Sequence, residues 1–488
     1  MKNNILFAFL VCILPLTAAF VGCQSFDTGD TVADIRNELL ERAKERKEAQ
    51  AGEADERRDR TRRGTEELPV ILGKLTLSDA VTLAMANNRT LKTAYLTRMD
   101  ADGAIMEAYA GALPNANLSL DAHNTWIDGD SDDTYSLGVE VVQPLWRSGA
   151  VSAGVRFAKL YAASTDFTIR EKVQSIIYSV VQKYMTVLLN VHLVDVYEDA
   201  NAVAERLLET TRNRRQQGTV SDYEVLRAGV EVANTKAALI NANNALQSAM
   251  VLLFREMGVS QESKVEFSGE LKYSPEHFVL ETTSLKAFQE RPDIARAQAA
   301  LFMAEENMKI VKSLYGPRAD VFASADYSNA RADEWNDTWT VGARVRLPIF
   351  DGFERRGKLI SAVSKRDQAA EALRDLEDLS HVEVVEALLK LKYADELYVS
   401  QMKNLDLSRE ALRILETGSS FGRNTQVEVL DARAALTQAM GTYYNAVYSH
   451  GIARLGVRYA TGTLYPDDSM DELVATPDAE ETKAAEQN

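Results

Sequence analysis

The chain has 488 residues, of which 46% are hydrophobic and 26% are charged, and its formal net charge at pH 7 is −17. This length suffices for one large domain or for two to four ordinary ones, and the composition is that of a folded protein. The negative charge argues against a nucleic-acid partner, because phosphate backbones would be repelled.

The first 22 residues are expected to form a secretory signal peptide. Lys2 supplies the positive start, and the apolar run at 5–16 is too short for a comfortable membrane span. The run leads into Phe20-Val21-Gly22-Cys23, an ending typical of bacterial lipoproteins, in which the cysteine becomes the acylated first residue. We therefore expect Cys23 to carry lipid. The alternative is an ordinary cleaved signal with an incidental cysteine.

The mature chain is expected to begin with a charged arm and to end with an acidic tail. The arm comprises residues 23–74 and has no apolar face over 25–67, and the tail comprises residues 463–488 and has, from 467 onward, the composition of a segment without a packed core. Cys23 would be the only cysteine left, so no internal disulfide can form. No later run reaches 18 uninterrupted apolar residues, so we expect no membrane-spanning helix, and any membrane passage would need a β-barrel.

Between the arm and the tail the chain repeats itself. Three pairs of landmarks recur in one order at offsets of 203, 204 and 204 residues: Pro114 and Pro317, Pro144 and Pro348, and Gly218 and Gly422. This period is longer than a solenoid unit, so it predicts a tandem duplication. The two copies would occupy residues 75–262 and 285–462, joined by a linker at 263–284.

Each copy contains two runs in which apolar and polar residues alternate. They predict β-strands at about 115–126 and 135–146, and again at about 319–329 and 338–347, with Phe322 as the exception to the pattern. Polar groups on one face and apolar groups on the other suit a membrane barrel with a wet lumen.

Helical runs surround the strands in each copy. Shorter runs precede the strands, very long runs without Gly or Pro follow them, and a glycine turn then sends a shorter helix back. The preceding runs lie at 77–113 and 285–314, and the long runs lie at 155–217 and 358–417. Each long run would span roughly 90 Å at the helical rise per residue, a length that coiled coils and tunnels use.

The predicted fold class is therefore mainly α with a membrane β-barrel, built from a duplicated unit of helix, strand, strand, long helix, turn and helix. Four strands cannot close a pore, because small barrels need about eight. The chain is therefore expected to oligomerise, and a homotrimer would form a 12-stranded β-barrel without free edges.

Three motifs in this layout, from residue 75 to about 462, resemble the TolC-like outer-membrane efflux protein family. They are Arg291-Pro292-Asp293-Ile294, Leu347-Pro348-Ile349-Phe350-Asp351-Gly352, and Val427-Glu428-Val429-Leu430-Asp431-Ala432. The resemblance implies a trimeric channel whose β-barrel lies in the bacterial outer membrane above a long α-helical barrel, which forms a periplasmic tunnel. The lipid anchor is expected separately, from Cys23. The resemblance also implies a periplasmic adaptor of the membrane-fusion type and an inner-membrane pump, either an antiporter or an ABC exporter, as partners.

The resemblance further implies a gate beside the two glycine turns. The family's pair of acidic residues carries over to Glu428 and Asp431, which share a helix face, so a trimer would place six carboxylates around one opening. The first copy has Glu224 and Arg227 at these positions. Asn424 stands where the family carries a gate arginine. The alternative is that these charges lie on an ordinary solvated helix face.

Two further groups of residues have expected roles. The turns at Arg214, Gly218 and Gly422 should form the periplasmic tips that meet the adaptor, although glycine is also required there simply to reverse the chain. The tryptophans at strand ends are expected to form aromatic girdles at the two membrane interfaces, with core packing as the alternative. They are Trp126, Trp146, Trp335 and Trp339.

Nothing in the sequence predicts an enzyme, a cofactor or a bound metal. Residues 418–422 match a hydrolase nucleophile pattern, but a long helix precedes them where a strand is needed. Residues 352–359 nearly match a phosphate loop, but Leu359 replaces the hydroxyl residue that holds magnesium. The five histidines show no metal-ligand spacing.

The preferred function is passive efflux of substrates that a pump expels. One alternative is a type I duct for protein secretion, which shares the fold. The other is a lipid-anchored coiled-coil scaffold, which would leave the four amphipathic strands unexplained.

Overall fold

The computed structural model describes residues 68–127, 130–331, 334–421 and 423–465. The signal peptide, Cys23, nearly all of the charged arm and most of the acidic tail lie outside the described residues, as does Gly422. Every structural statement below concerns the described residues.

The described chain forms eight helices and six strands, and its two halves have the same order of elements. In chain order they are β1 (Leu72–Leu75), α1 (Leu77–Asn87), α2 (Arg89–Ala110), β2 (Asn115–Ile127), β3 (Asp130–Trp146), α3 (Ala150–Gln216), α4 (Asp222–Met257), β4 (Lys264–Phe267), α5 (Leu280–Glu290), α6 (Pro292–Ser313), β5 (Arg318–Arg331), β6 (Glu334–Arg346), α7 (Glu354–Ser420) and α8 (Gln426–Ala460).

The two long helices, α3 and α7, are longer than the glycine-free runs in the sequence. Each has 67 residues, which corresponds to roughly 100 Å. α3 includes Gly154, and α7 includes Gly357 and Gly418, because each glycine costs a helix only about 1 kcal/mol. Each begins after a residue in the left-handed conformation, Gly149 at φ 84° and Phe353 at φ 70°, which turns the chain out of the preceding strand.

The helices before the strands are each split in two, so the expectation of one continuous helix at 77–113 and at 285–314 was wrong. The first break is at Asn88, whose side-chain Oδ1 accepts a hydrogen bond from the Thr90 amide at 2.8 Å and so caps α2. The second break is at Arg291, which precedes Pro292. A residue before proline is pushed out of the helical region, and Arg291 has an extended conformation (ψ 119°).

Four strands form one antiparallel sheet in the order β2-β3-β5-β6. The register places Leu118 opposite Val139, and Ala325 opposite both Val139 and Trp339, so the apolar residues of all four strands share one face. β3 begins at Asp130 and β6 begins at Glu334. Both strands therefore start earlier than the positions 135 and 338 that alternation predicted. Within the described chain, β2 and β6 each pair with one strand only.

Phe322 is the aromatic exception on the polar face of this sheet. It lies opposite Gly342, and a side chain on Gly342 would come within 2.8 Å of the Phe322 ring. The guanidinium of Arg344 covers the ring at 4.7 Å from its centre. The missing side chain at 342 therefore makes room for the ring, and a cation–π contact covers it.

A second, small sheet was not predicted. β1 pairs in parallel with β4, from Leu72 opposite Lys264 onward, so the linker at 263–284 includes a strand and the start of α5. The hydroxyl of buried Tyr184 on α3 donates a shared hydrogen bond to the carbonyl oxygens of Leu75 at 2.8 Å and Ser268 at 2.6 Å. This contact fixes the small sheet on the long helix.

The larger apolar core lies where α1, α3 and α4 meet beneath the small sheet. Leu77, Ile177, Leu253 and Met257 are fully buried there. A smaller core around Val384 joins α5, α7 and α8. The chain is therefore held together near the middle of the long helices, while their far ends carry few buried residues.

One described helix, α4, is long and apolar enough to cross a membrane, contrary to the expectation of no such segment. Asparagine and glutamine interrupt the apolar run of α4 without adding charge. A search for 18 uninterrupted apolar residues therefore does not detect this helix. Only 22% of its most apolar 18-residue window is buried. It packs lengthwise on α3, and Leu226, Val230 and Ile240 remain exposed on its free side.

Candidate functional site

The turn between α3 and α4 is closed by backbone and side-chain contacts around Gly218. Gly218 has φ 72°, and its amide donates to the Arg215 carbonyl at 2.9 Å, a C-terminal helix arrangement that favours glycine. The Arg215 guanidinium holds the Asp222 carboxylate through two hydrogen bonds of 2.6 and 2.9 Å and lowers the pKa of Asp222. Arg214, the predicted tip residue, is exposed and contributes its carbonyl to the Thr219 amide.

The turn between α7 and α8 is built differently. The side chain of Asn424 lies against Gly418, where an added Cβ would clash with Asn424 Oδ1. Thr425 and Glu428 then form a capping box, in which the Glu428 carboxylate accepts from the Thr425 amide at 2.9 Å. Gly418 to Ser420 lie in the last turn of α7, so they lack the strand-to-helix turn of a nucleophile elbow.

The structure brings two of the four predicted gate residues together. Arg227 Nη2 on α4 lies 3.4 Å from Asp431 Oδ1 on α8, and the two positions correspond to each other in the repeat. Glu428 lies on the same side of α8, one turn closer to the tip, where it also caps the helix. Glu224 lies in the first turn of α4. The tip is therefore not a simple ring of carboxylates, because Arg227 opposes the charge of Asp431.

A second contact joins the two helical hairpins near the same level. Gln426 Nε2 on α8 donates to Thr211 Oγ1 on α3 at 3.0 Å, and Thr211 is buried. Neither residue was predicted from the sequence, nor was the Arg215–Asp222 pair. The opposite charges on either side of Gly218 were the available signal for that pair. No comparable signal linked residues 211 and 426.

Three of the four tryptophans lie at strand ends, as the girdle interpretation requires. Trp126 is the penultimate residue of β2, Trp146 ends β3, and Trp335 near the start of β6 stacks on Tyr327 at 4.8 Å between ring centres. Trp339 lies near the middle of β6, opposite Ala325, so its placement at a strand end was wrong. Alternation along a strand predicts which face a residue occupies. How far a residue lies from the strand end depends on where the strand begins, and β6 begins at Glu334.

The Arg-Pro-Asp motif forms a joint between helix ends. Arg291 donates to the carbonyl at the end of α8, that of Ala460, at 3.1 Å, and to the carboxylates of Asp293 and Glu383 at 2.6 Å each. Burial alone would raise the pKa of Asp293, but the Arg291 guanidinium holds it below its usual value. Gly462, at φ 70°, lies so close that a Cβ would meet the Arg291 backbone at 2.8 Å.

The first copy has the same joint without the ion pairs. Gly258, which corresponds to Gly462, has φ 68° and lies against Asn87. Asn88 Nδ2 donates to the Glu256 carbonyl at the end of α4 at 3.2 Å. In both copies the start of one helix is therefore fastened to the end of another.

Ion pairs and hydrogen bonds hold the linker against α7 and α8. Both Arg454 and Arg458 bind the Glu276 carboxylate, and together they lower its pKa although burial acts in the opposite direction. The Tyr273 hydroxyl donates to Asp395 at 3.1 Å. His450, which is fully buried, packs on the Tyr273 ring with its Nε2 at 3.1 Å from Asp395 Oδ1, out of line for a hydrogen bond. Burial lowers the pKa of His450.

Comparisons with known proteins agree with this layout. The chain is 26% identical to the cobalt-zinc-cadmium resistance protein CzcC of Cupriavidus metallidurans over 78% of this chain and 89% of that protein. It is 24% identical to the outer membrane protein TolC of Vibrio cholerae over 81% of this chain and 92% of that protein. The fold matches the crystal structure of the Campylobacter jejuni CmeC outer membrane channel with a TM-score of 0.69 at 17% identity, covering 81% of this chain and 88% of that one.

The family model for outer membrane efflux proteins matches this chain twice, at residues 80–259 and 284–463. The two matches begin 204 residues apart, which is the spacing of the sequence landmarks. They cover both halves of the described fold, from α1 to α4 and from α5 to α8, and the resemblance inferred from the three motifs is confirmed. The chain belongs to the outer membrane efflux protein family, whose members are outer-membrane channels and not enzymes.

Proposed function

We propose that three copies of this chain assemble into a channel that passively conducts substrates out of the cell. The observation that carries the proposal is the sheet β2-β3-β5-β6, which has one apolar face and two edge strands with unused pairing capacity. Pairing β6 of one copy with β2 of the next closes twelve strands without a free edge. The apolar face then meets lipid, and the polar face lines the lumen.

The long helices continue from the barrel as a periplasmic tunnel. Within one copy, α8 packs between α3 and α7, whereas α4 and α7 lie at the two sides of the layer. The exposed apolar residues of α4, such as Leu226 and Ile240, and those of α7, such as Leu389 and Leu407, suit helix packing between copies. Burying these strips would give assembly a hydrophobic driving force.

The channel works in this proposal with a periplasmic adaptor and an inner-membrane pump, which supplies the energy. Lipid on Cys23 anchors the chain to the outer membrane, and the adaptor meets the tips at Arg214, Gly218 and Gly422. Support comes from the family membership and from the exposed, compact turn around Gly218. Trp126, Trp146 and Trp335 lie at the two interfaces of the membrane band.

The gate of this channel lies at the tips. Glu428 and Glu224 supply negative charge around the opening, and the Arg227–Asp431 pair and the Gln426–Thr211 hydrogen bond hold the two hairpins of each copy together. An adaptor that spreads the hairpins breaks both contacts and withdraws Glu428 and Asp431 from the axis. A cation-selective pore follows from the excess of carboxylates.

Single-channel conductance in planar bilayers tests the proposal. Wild-type protein, shown to be trimeric by its mass, should give a small cation-selective conductance. Glu428→Gln keeps the size of the side chain and its capping oxygen, and should reduce cation selectivity. A folded trimer without conductance would refute the channel. Conductance with unchanged selectivity in the variant would retain the channel and refute the role of Glu428.

A further inference from the structure

Three arginines lie together on the polar face of the four-stranded sheet, at the end where the strands meet the helices. Arg318 is the first residue of β5 and Arg346 is the last residue of β6, and the register places them directly opposite each other. Arg344 lies on β6 two positions from Arg346. Its guanidinium covers the ring of Phe322 on the polar face, and strand alternation places Arg318 and Arg346 on that same face. Arg318, Arg344 and Arg346 form the arginine cluster.

The described residues leave the positive charge of the arginine cluster uncompensated. Among them, the guanidinium groups of Arg318 and Arg346 form no ion pair or hydrogen bond, and both residues are exposed. Asp320 lies opposite Arg344, but its carboxylate is bound by Arg147, with Nη2 at 2.6 Å from Oδ1. Side chains directly opposite each other on antiparallel strands are about 5 Å apart, and like charges in that position destabilise a sheet. The pairing of Arg318 with Arg346 is therefore unfavourable unless an anion lies between them.

The carboxylates of the polar face lie farther along the strands, toward the other end of the sheet. Glu140 is level with Ser324, which is six residues beyond Arg318 on β5, and Asp326 lies two residues beyond that. At about 3.4 Å per residue, Glu140 is roughly 20 Å along the sheet from Arg318. The polar face is therefore cationic at its helix end and acidic toward its other end.

In the proposed trimer the arginine cluster lines the lumen at the base of the barrel. This step rests on the proposed function, in which β6 pairs with β2 of the next copy and the polar face turns inward. β2 begins with Asn115 and Asn117 on its polar face, so the described start of that strand brings no carboxylate to the cluster. Three copies, with three arginines each, would place nine guanidinium groups around one opening. The base of the barrel is then opposite in charge to Glu428 and Glu224 at the tips.

We propose that the arginine cluster binds the acidic groups of organic anions as they pass through the barrel. A guanidinium presents a planar fork of N–H donors that matches the oxygens of a carboxylate or phosphate group. Two such forks opposite each other hold one acidic group from two sides, which removes their mutual repulsion. Arg344 adds a third charge, and the half-buried ring of Phe322 beside it offers an apolar surface to the carbon skeleton of the anion. The wall therefore favours substrates that carry several acidic groups.

Binding of carboxyfluorescein, a fluorescent aromatic polycarboxylate, to the purified trimer tests this inference. Fluorescence anisotropy is measured in nonionic detergent at low salt, against empty micelles. Arg346→Gln should weaken binding about fivefold, the upper factor for one exposed charge pair. Arg346→Lys keeps the charge but loses the planar fork, so its affinity should lie between those of wild type and Arg346→Gln. Arg89→Gln, at an exposed arginine at the start of α2, is the matched control and should leave binding unchanged.

A second dye tests the preference for anions. Rhodamine 123 has the same ring system with a positive charge, and its binding should be equal in wild type and Arg346→Gln. In about 1 M salt, where the screening length falls to about 3 Å, the difference between these two proteins in carboxyfluorescein binding should disappear. A loss of affinity for both dyes in Arg346→Gln would overturn the charge preference, and so would a difference that persists in high salt.

The stability of Arg346→Gln separates a ligand site from a structural role. Without an anion the substitution removes a repulsive pair, so the unfolding midpoint should stay equal to that of wild type or rise. A lower midpoint would show that Arg346 holds the fold together and would overturn the assignment. Carboxyfluorescein binding that is equal in all four proteins, or that matches the empty micelles, would also overturn it.

Conductance of the same preparations keeps the site and the channel apart. Conductance without Arg346-dependent binding refutes the anion site alone. Arg346-dependent binding without conductance supports the site on the polar face of the sheet and refutes the channel.

Discussion

Exchanging the charges of Arg227 and Asp431 gives the sharpest test of the tip contacts. The pair joins α4 to α8 across 3.4 Å, with Asp431 largely exposed, so each pair stabilises the closed tip by only about 0.5 kcal/mol. If the three pairs of a trimer open together, Arg227→Ala removes about 1.5 kcal/mol and raises the ratio of open to closed channels roughly tenfold.

Charge reversal should act more strongly. Arg227→Asp places two carboxylates opposite each other, so the open-to-closed ratio should exceed that of Arg227→Ala. The double variant Arg227→Asp/Asp431→Arg restores one attractive pair per copy and should return the ratio toward wild type. Both effects should shrink in about 1 M salt, where the screening length falls to about 3 Å.

The assay is the open probability of single channels in planar bilayers at low and high salt. Gln426→Ala serves as a second reference, because it removes the neighbouring uncharged contact with Thr211 and should open the channel without salt dependence. Equal open probabilities for Arg227→Asp and the double variant would refute the pairing, since restoring an opposite charge at position 431 would then have had no effect.

Three further predictions concern stability and are read from unfolding of the purified protein in detergent. Gly462→Ala should destabilise the fold by about 1–3 kcal/mol, because the residue has φ 70° and its Cβ would meet the Arg291 backbone at 2.8 Å; an unchanged unfolding midpoint would contradict the joint. Tyr184→Phe should cost about 1 kcal/mol, because the Leu75 carbonyl keeps only the Ser268 amide as a donor and the half-buried Ser268 carbonyl loses the hydroxyl, and hydrogen exchange should increase in β1 and β4 but not in α8. His450 has a lowered pKa in the folded protein, so the folded state favours its neutral form and stability should fall as the pH drops below about 6.5, the ordinary histidine pKa. His450→Gln should flatten that part of the pH profile, and a profile identical to wild type would show that another group is responsible.

Local pattern was sufficient to predict the strands and their faces. Leu118 and Val139 were assigned to apolar faces from alternation alone, and the register places them opposite each other. Alternation works because successive side chains of a strand point to opposite sides, which any sheet must obey. The boundaries were less accurate, since the extension of β6 to Glu334 depends on pairing with β5 and not on the local pattern.

The candidate site was predicted only in part. The repeat identified Arg227 and Asp431 as corresponding positions, but their contact required α8 to pack against the first hairpin. Thr211, Gln426 and Arg215 carried no signal strong enough to single them out. Contacts between distant residues depend on which helices become neighbours, and the sequence pattern of one helix does not contain that information.

The duplication, the long helices and the amphipathic strands can be read from the sequence, because they follow from periodicity or spacing along the chain, which reflect backbone geometry. The family was indicated by the resemblance of three motifs. The parallel pairing of β1 with β4 and the joint made by Arg291 and Ala460 depend on the tertiary structure. Leu72 and Lys264 are 192 positions apart and Arg291 and Ala460 are 169 apart, and they meet because of how the helices pack, which no local pattern specifies.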